Sequence, residues 1–290
     1  MEFKVTHTTR YRYGHSAAEA YGEARLTPPE LPTQTVLSRQ FEIDPATRLS
    51  SYIDHHGNAV EFYSLPFRHQ SLNIATRIRV ETRKCERPAE LLELTIGEAR
   101  QIFASALTDI FDYLQPTEVV HIGRDASQWA KKYLPGHVAL SEALPRLNEA
   151  IYDSFAYTKG VTDNTTPLSL IWKHRQGVCQ DFAHVALSIL RTAGLPARYV
   201  CGYIEAALPQ KTQTGRNLVG AGATHAWVEV LIPGMQWIAL DPTNRQWTDD
   251  RYITVSYGRD ARDAAPVRGT FKGSGGQRIT TKVLMERVGE

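Results

Sequence analysis

Cys179, His225 and Asp241 bring a thiol, an imidazole and a carboxylate into one part of the chain, in that order. The cysteine lies in Gln176-Gly177-Val178-Cys179-Gln180-Asp181-Phe182-Ala183-His184, where a glycine-containing turn gives way to an apolar run. The other two flank a turn: Thr224-His225-Ala226-Trp227-Val228-Glu229-Val230, then Pro233-Gly234, then Trp237-Ile238-Ala239-Leu240-Asp241-Pro242-Thr243. A thiol becomes a nucleophile when an imidazole takes its proton and a carboxylate orients that imidazole. Whether these three can meet depends on the elements that carry them.

Phe182, Val185, Ala186, Ile189, Leu190 and Ala193 recur on one side of a helix, which Gly194 and Pro196 end. Cys179 therefore falls in the first helical turn, where unpaired N–H groups and the helix dipole favour a thiolate. Its own N–H is a candidate oxyanion donor. Gly177 lets a substrate backbone or a neighbouring strand come close. A small buried hydrophobe is the commoner fate of a free cysteine. Cys201, between Val200 and Gly202 in an apolar strand, reads that way, and Cys85 reads as a linker residue.

His225 and Asp241 are sixteen residues apart with Pro233 midway. A hairpin folded there pairs 225 with 241, 227 with 239 and 229 with 237, all on one face. Opposed Cβ atoms then lie about 4.5–5.5 Å apart, near enough for an imidazole–carboxylate hydrogen bond. A slip of one residue would part them. His184 points elsewhere on its helix and reads as a core histidine. Asp181 complements the helix dipole. Trp172 and Trp227 are candidates for lining the site, against a default of aromatic core packing. No ligand spacing supports a metal site built from His174, Cys179, His184 and His225.

The whole chain sets few further limits. Its 290 residues hold one large domain or two modest ones, and 42% apolar with 22% charged content is that of a globular protein. A net charge of +2 gives no reason to expect nucleic acid or an anionic membrane as partner. No run approaches the roughly 20 apolar residues that span a bilayer. The N-terminus lacks a basic segment followed by an apolar one, so no secretory signal is expected. Three scattered cysteines make no disulfide framework, and a reducing cytoplasm is the expected location.

Residues 1–86 read as a β-rich domain. Phe3 to Tyr13 mixes β-branched and aromatic residues before Gly14 ends the strand. Further strands are expected near 38–43, 49–53, 59–65 and 72–82. Residues 87–290 read as a second domain, helical over 90–195 and an antiparallel sheet over 197–290. Leu91 to Ala106, Ser127 to Leu134 and Ser141 to Phe155 have helical spacing, with Asp125 and Ser141 as N-caps. The polar stretch from 205 to 222 is a candidate substrate-gating loop. The fold class is α+β.

Four segments closely resemble the transglutaminase-like superfamily, in its bacterial branch described as cysteine proteases. They are Gly177 to His184, Gly194-Leu195-Pro196-Ala197-Arg198-Tyr199-Val200, Thr224 to Glu229, and Asp241-Pro242-Thr243-Asn244. Tyr11-Arg12-Tyr13, Arg25-Leu26-Thr27-Pro28 and Gly57-Asn58 resemble that branch's N-terminal region, and Tyr252 to Asp260 with Pro266 to Thr270 its C-terminal signature. The resemblance implies a papain-like core, a nucleophile helix on an antiparallel sheet, with Cys179, His225 and Asp241 as catalytic positions. By analogy with papain-like enzymes, Gln176 is a candidate second oxyanion donor. The implied chemistry is acyl transfer at an amide through a thioester. Hydrolysis of a peptide or isopeptide bond is the preferred outcome, with transfer to a primary amine second and a non-catalytic interaction module third. A peptide or protein substrate and, for transfer, an amine acceptor are the expected partners, with no cofactor.

Overall fold

The computed structural model describes residues 1–205 and 222–289. Six strands open the chain: β1 (Glu2–Ala17), β2 (Glu19–Thr27), β3 (Gln34–Asp44), β4 (Leu49–Ile53), β5 (Ala59–Leu65) and β6 (His69–Thr82). Phe3, Val5, His7 and Thr9 of β1 are buried while Lys4 and Arg10 face water, the alternation of a half-covered strand. Contrary to expectation Gly14 does not end β1. Its N–H reaches the Gly276 carbonyl at 2.8 Å, and the strand continues to Ala17 through a shift in register. β2 has no clear signature in sequence, because Ala20, Gly22 and Ala24 are too small to show its buried face as an apolar pattern.

The helical middle is more broken than the spacing predicts. α1 (Ala89–Leu92), α2 (Ile96–Ala104) and α3 (Leu107–Ile110) replace the single helix expected over 91–106. Thr95 causes the first break. Its hydroxyl accepts the Glu98 N–H while the Glu98 carboxylate accepts the Thr95 N–H, a capping box that starts a new helix. α4 (Arg124–Tyr133) and α5 (Leu140–Ser154) begin after Gly123 and Ala139, so neither Asp125 nor Ser141 is the cap. β7 (Ala156–Tyr157), α6 (Leu168–His174) and β8 (Gln176–Gly177) lead to α7 (Cys179–Thr192). From Asp181 to Arg191 every residue of α7 is buried, because helices α4, α5 and α6 cover it on one side and a sheet on the other.

That sheet holds β9 (Ala197–Ile204), β10 (His225–Ile232), β11 (Gln236–Asp241), β12 (Gln246–Trp247) and β13 (Tyr252–Gly258). It is antiparallel, in the order β12-β11-β10-β9-β13. Ala226, Val228 and Val230 of β10 join Tyr199 and Cys201 of β9 in the core beneath α7. Trp227 packs on the opposite face with Val200, Tyr252 and Tyr257.

The sheet does not extend to residue 290, which corrects the expected domain division. β14 (Val267–Lys272) pairs with β2, and β15 (Gln277–Arg287) pairs with β1 along a ladder from Phe3–Arg287 to Tyr13–Gln277. The N-terminal part is thus two four-stranded sheets, β15-β1-β6-β3 and β14-β2-β5-β4. Alternating side chains mark a strand's buried face but not the sheet that receives it, so the tail's return is not written in its own pattern. The two halves share a core in which Phe3, Val5, Ile78 and Val80 meet Tyr203, Ile253 and Val255. Side-chain amides also seal the edge strand β13. Gln34 donates to the Thr254 carbonyl and accepts its N–H, both at 2.9 Å, and Asn58 does the same for Tyr257 at 2.8 and 2.7 Å.

Candidate active site

The position of Cys179 is set before α7 begins. β8 lies against β7, with Ala156 N–H on the Arg175 carbonyl and Thr158 N–H on that of Gly177, both 2.8 Å. Asp181 then closes the helix start. Its Oδ2 accepts the Val178 N–H at 2.8 Å and the Thr162 hydroxyl at 2.7 Å. Burial pushes the Asp181 carboxyl upward, against both of these bonds. A Cβ at Gly177 would stand 2.5 Å from Asp181 Oδ2, so the glycine admits this cap. Cys179 follows as the first residue of α7, half-buried, with its N–H at a position that has no acceptor inside the helix.

The hairpin differs from the expected register by two residues. Ile232 pairs with Gln236, Val230 with Ile238 and Val228 with Leu240, so the turn centres on Gly234 and not on Pro233. Gly234 and Met235 both take the left-handed conformation, φ 84° and 58°, which lets Pro233, Gly234 and Met235 form a three-residue loop. A shift of two preserves parity, so His225 and Asp241 still share a face. They meet diagonally, with His225 Nε2 2.7 Å from Asp241 Oδ2 and both side chains fully buried. Gly202 lies opposite His225 on β9, and a Cβ there would stand 2.4 Å from the Trp227 ring, so glycine gives the indole its space.

Asp241 is held from several directions. Its Oδ1 accepts the backbone N–H groups of Thr243 (2.9 Å) and Asn244 (3.2 Å). Its Oδ2 accepts the Asn244 amide at 2.7 Å and the Tyr252 hydroxyl at 2.8 Å in addition to His225. Burial opposes the charge, but the imidazole and these donors keep the carboxyl ionised, below its usual range. Burial likewise opposes an imidazolium at His225, yet Asp241 first and Cys179 second push its pKa up to about 10. With Nε2 committed to Asp241, Nδ1 is buried without a hydrogen-bond partner among the described residues. Cys179, at the start of α7, is near enough to this ring to help raise its pKa. The thiol also stands near Tyr157, whose phenol burial and Cys179 together push to about 12.

The remaining sequence candidates separate. Trp227 is buried against the His225 and Tyr252 rings, at centroid distances of 6.1 and 5.4 Å. It also lines a cleft of about 540 Å³ between the two halves of the chain. Trp172 packs on Trp129 and Phe155, and the Arg175 guanidinium lies 4.9 Å from its ring, so its contacts are those of a core residue. Gln176 is exposed on β8. His184 is buried and accepts the Ala261 N–H at 3.2 Å, with burial lowering its pKa to about 4. Cys201 is buried in β9 and Cys85 is exposed. Positions 206–221 of the candidate gating loop lie outside the described residues. Sequence reasoning missed Tyr252, Asn244 and Tyr157. Asn244 carried a signal, its place three residues after Asp241, whereas Tyr252 arrives from another strand.

Comparison with known proteins bears on the fold and the family. The family described as the transglutaminase-like superfamily matches residues 127–242, and the bacterial transglutaminase-like N-terminal region matches residues 3–81. An uncharacterized protein of Mycobacterium leprae is 33% identical over 291 residues, covering 98% of this chain and 98% of its own. A protein-glutamine gamma-glutamyltransferase of Pseudomonas aeruginosa is 34% identical over 100 residues, 32% of this chain and 14% of that protein. A solved structure from Cytophaga hutchinsonii, described as a "putative cysteine protease", covers 100% of this chain and 91% of its own with a TM-score of 0.77 at 19% identity. With its α+β architecture, its β-rich N-terminal part and a relative matched along almost its full length, the chain belongs to the transglutaminase-like superfamily.

Proposed function

We propose that the chain catalyses acyl transfer at amide bonds through a thioester on Cys179, ending in hydrolysis of a peptide or isopeptide bond. The observation that carries this reading is the buried 2.7 Å His225–Asp241 contact, with Cys179 at the start of α7 among the groups that raise the His225 pKa. The thiolate attacks the amide carbonyl, and the free N–H of Cys179 receives the developing oxyanion. The His225 imidazolium protonates the leaving nitrogen as the C–N bond breaks, leaving the thioester. Neutral His225 then takes a proton from the attacking water, and the thiolate departs with the acid product released. Asp241 fixes the ring's orientation throughout. These side chains supply nucleophile, acid and base, so the reaction as written needs no cofactor. Water needs no acceptor pocket, which favours hydrolysis.

Amine transfer is the second reading, favoured by the 100-residue match to a protein-glutamine gamma-glutamyltransferase. It shares the thioester and differs in the attacking group. The test is twofold. Cys179 should take up iodoacetamide nearly as fast at pH 6 as at pH 8, mapped by mass against the exposed Cys85, whose thiol pKa partial desolvation raises above its ordinary value. Labelling of Cys179 that climbs only near pH 8.5 would instead mark a non-catalytic module. Glutamine-containing peptides with and without a primary amine then separate free acid from amine-coupled product, and Cys179→Ala should yield neither.

A further inference from the structure

The outward face of the sheet β15-β1-β6-β3 gathers its cations in one place. Arg10 and Arg12 alternate with Thr8 on β1, and opposite them on β15 stand Thr280, Arg278 and Lys282. These six line a furrow of about 430 Å³. The four cations are exposed and make no ion pair among the described residues, whereas Arg77 and Arg79 on β6 pair with Glu42 and Glu2. Arg12 lies directly opposite Arg278, and like charges so placed destabilise a sheet. The β6 neighbours on this face are Ser71, Asn73 and Ala75. The carboxylates Glu42 and Asp44 lie one strand further, on β3, roughly 10 Å from β1. A chain of net charge +2 thus concentrates four unpaired cations and tolerates a repulsive pair among them.

We propose that this furrow binds an extended acidic peptide segment. Side chains on one face of an extended peptide recur every 6.6–6.8 Å or so, as they do along β1 and β15, so carboxylates at alternate positions meet successive cations. Threonines interleave with the cations on this face, where a single-stranded nucleic acid would look for aromatic rings to stack its bases. The furrow also leads toward the candidate site. Val283, next to Lys282, donates its N–H to Gly222 at 3.3 Å, and Gly222 is three residues, about 10 Å of extended chain, from His225. Given the proposed acyl transfer, on which this last step rests, the substrates are peptides with an acidic segment a few residues from the reacting amide.

The probe is fluorescein-labelled decaglutamate, titrated by anisotropy onto the Cys179→Ala protein at 50 and 200 mM salt. Saturable binding is expected, weakened at least tenfold by the higher salt and again by Arg12→Glu with Arg278→Glu. Arg12→Lys with Arg278→Lys should retain it. Arg12→Glu alone, which turns the repulsive pair into an attractive one, should weaken binding without lowering the melting temperature, so lost binding is not lost folding. Equal affinity in the double charge-reversal variant overturns the proposal, as does tighter binding of an oligothymidylate of equal charge. Binding with an inert Cys179 would sink the catalytic reading alone, and a reactive Cys179 without binding would sink this one alone.

Discussion

Asp241→Asn, made in a Cys179→Ser background, probes the centre of the site. Asparagine keeps the shape of the side chain and an acceptor for the Thr243 and Asn244 N–H groups, but it removes the countercharge of His225. Burial favours a neutral imidazole; Asp241 is the main reason the ring stays protonated up to about pH 10 against an ordinary 6.5. At about 1.36 kcal/mol per pH unit, that interval is worth roughly 5 kcal/mol at most. The usual penalty for stripping one partner from a buried ion pair, about 3–5 kcal/mol, agrees. The folded chain therefore holds a proton that the unfolded chain releases above pH 6.5. This stabilisation is complete below 6.5 and is lost as pH rises through about 10. Serine at 179 matters because a proton passed from sulfur to imidazole leaves the total unchanged and would mask the slope. It also removes the thiolate's share of the rise, so the window closes somewhat below 10.

Urea unfolding at pH 6, 7, 8 and 9, followed by tryptophan fluorescence, reads the effect. The Cys179→Ser protein should lose stability with rising pH. The double variant should be less stable by about 3–5 kcal/mol at pH 6, with the gap narrowing at each step. A gap that stays constant from pH 6 to 9 would mean that His225 is neutral in the fold, and the ion-pair argument would fall.

Two further substitutions test what surrounds the trio. Tyr252→Phe removes a hydroxyl that donates to Asp241 and accepts from Gln246, both at 2.8 Å. It should cost about 1.5–3 kcal/mol in urea unfolding and slow alkylation of Cys179. Gly177→Ala puts a methyl group 2.5 Å from Asp181 Oδ2 and must displace that cap. A loss of about 1–3 kcal/mol and slower Cys179 labelling are expected, and unchanged labelling would show that the cap does not position the thiol.

What could be read from the sequence divides by the range of the interaction. The start of α7 was legible because its signals are local: an apolar stripe, a terminating Gly194 and Pro196, and a cysteine in the first turn. The break at Thr95 was local too, yet the helical spacing around it concealed the Thr95–Glu98 box. Pairing across the fold is different. Ile279, Thr281, Val283 and Met285 of β15 alternate as strand residues do, but nothing in them names β1 as partner.

The hairpin shows why the nearness of His225 and Asp241 was legible although their pairing was misplaced. Side chains in a strand repeat with period two, so any even error in register leaves a residue on its face and only moves it along the ladder. Centring the turn on Pro233 in place of Gly234 made such an error, and it turned a diagonal His225–Asp241 relation into a direct opposition. An imidazole is long enough to close that diagonal to 2.7 Å. A displacement by one residue would have sent Asp241 to the face beneath α7, among Val228 and Leu240, where a carboxylate has no donors. Parity therefore carried the relation between imidazole and carboxylate. The hydroxyl of Tyr252, brought by a strand that reaches Asp241 only through the assembled sheet, had no such local rule to reveal it.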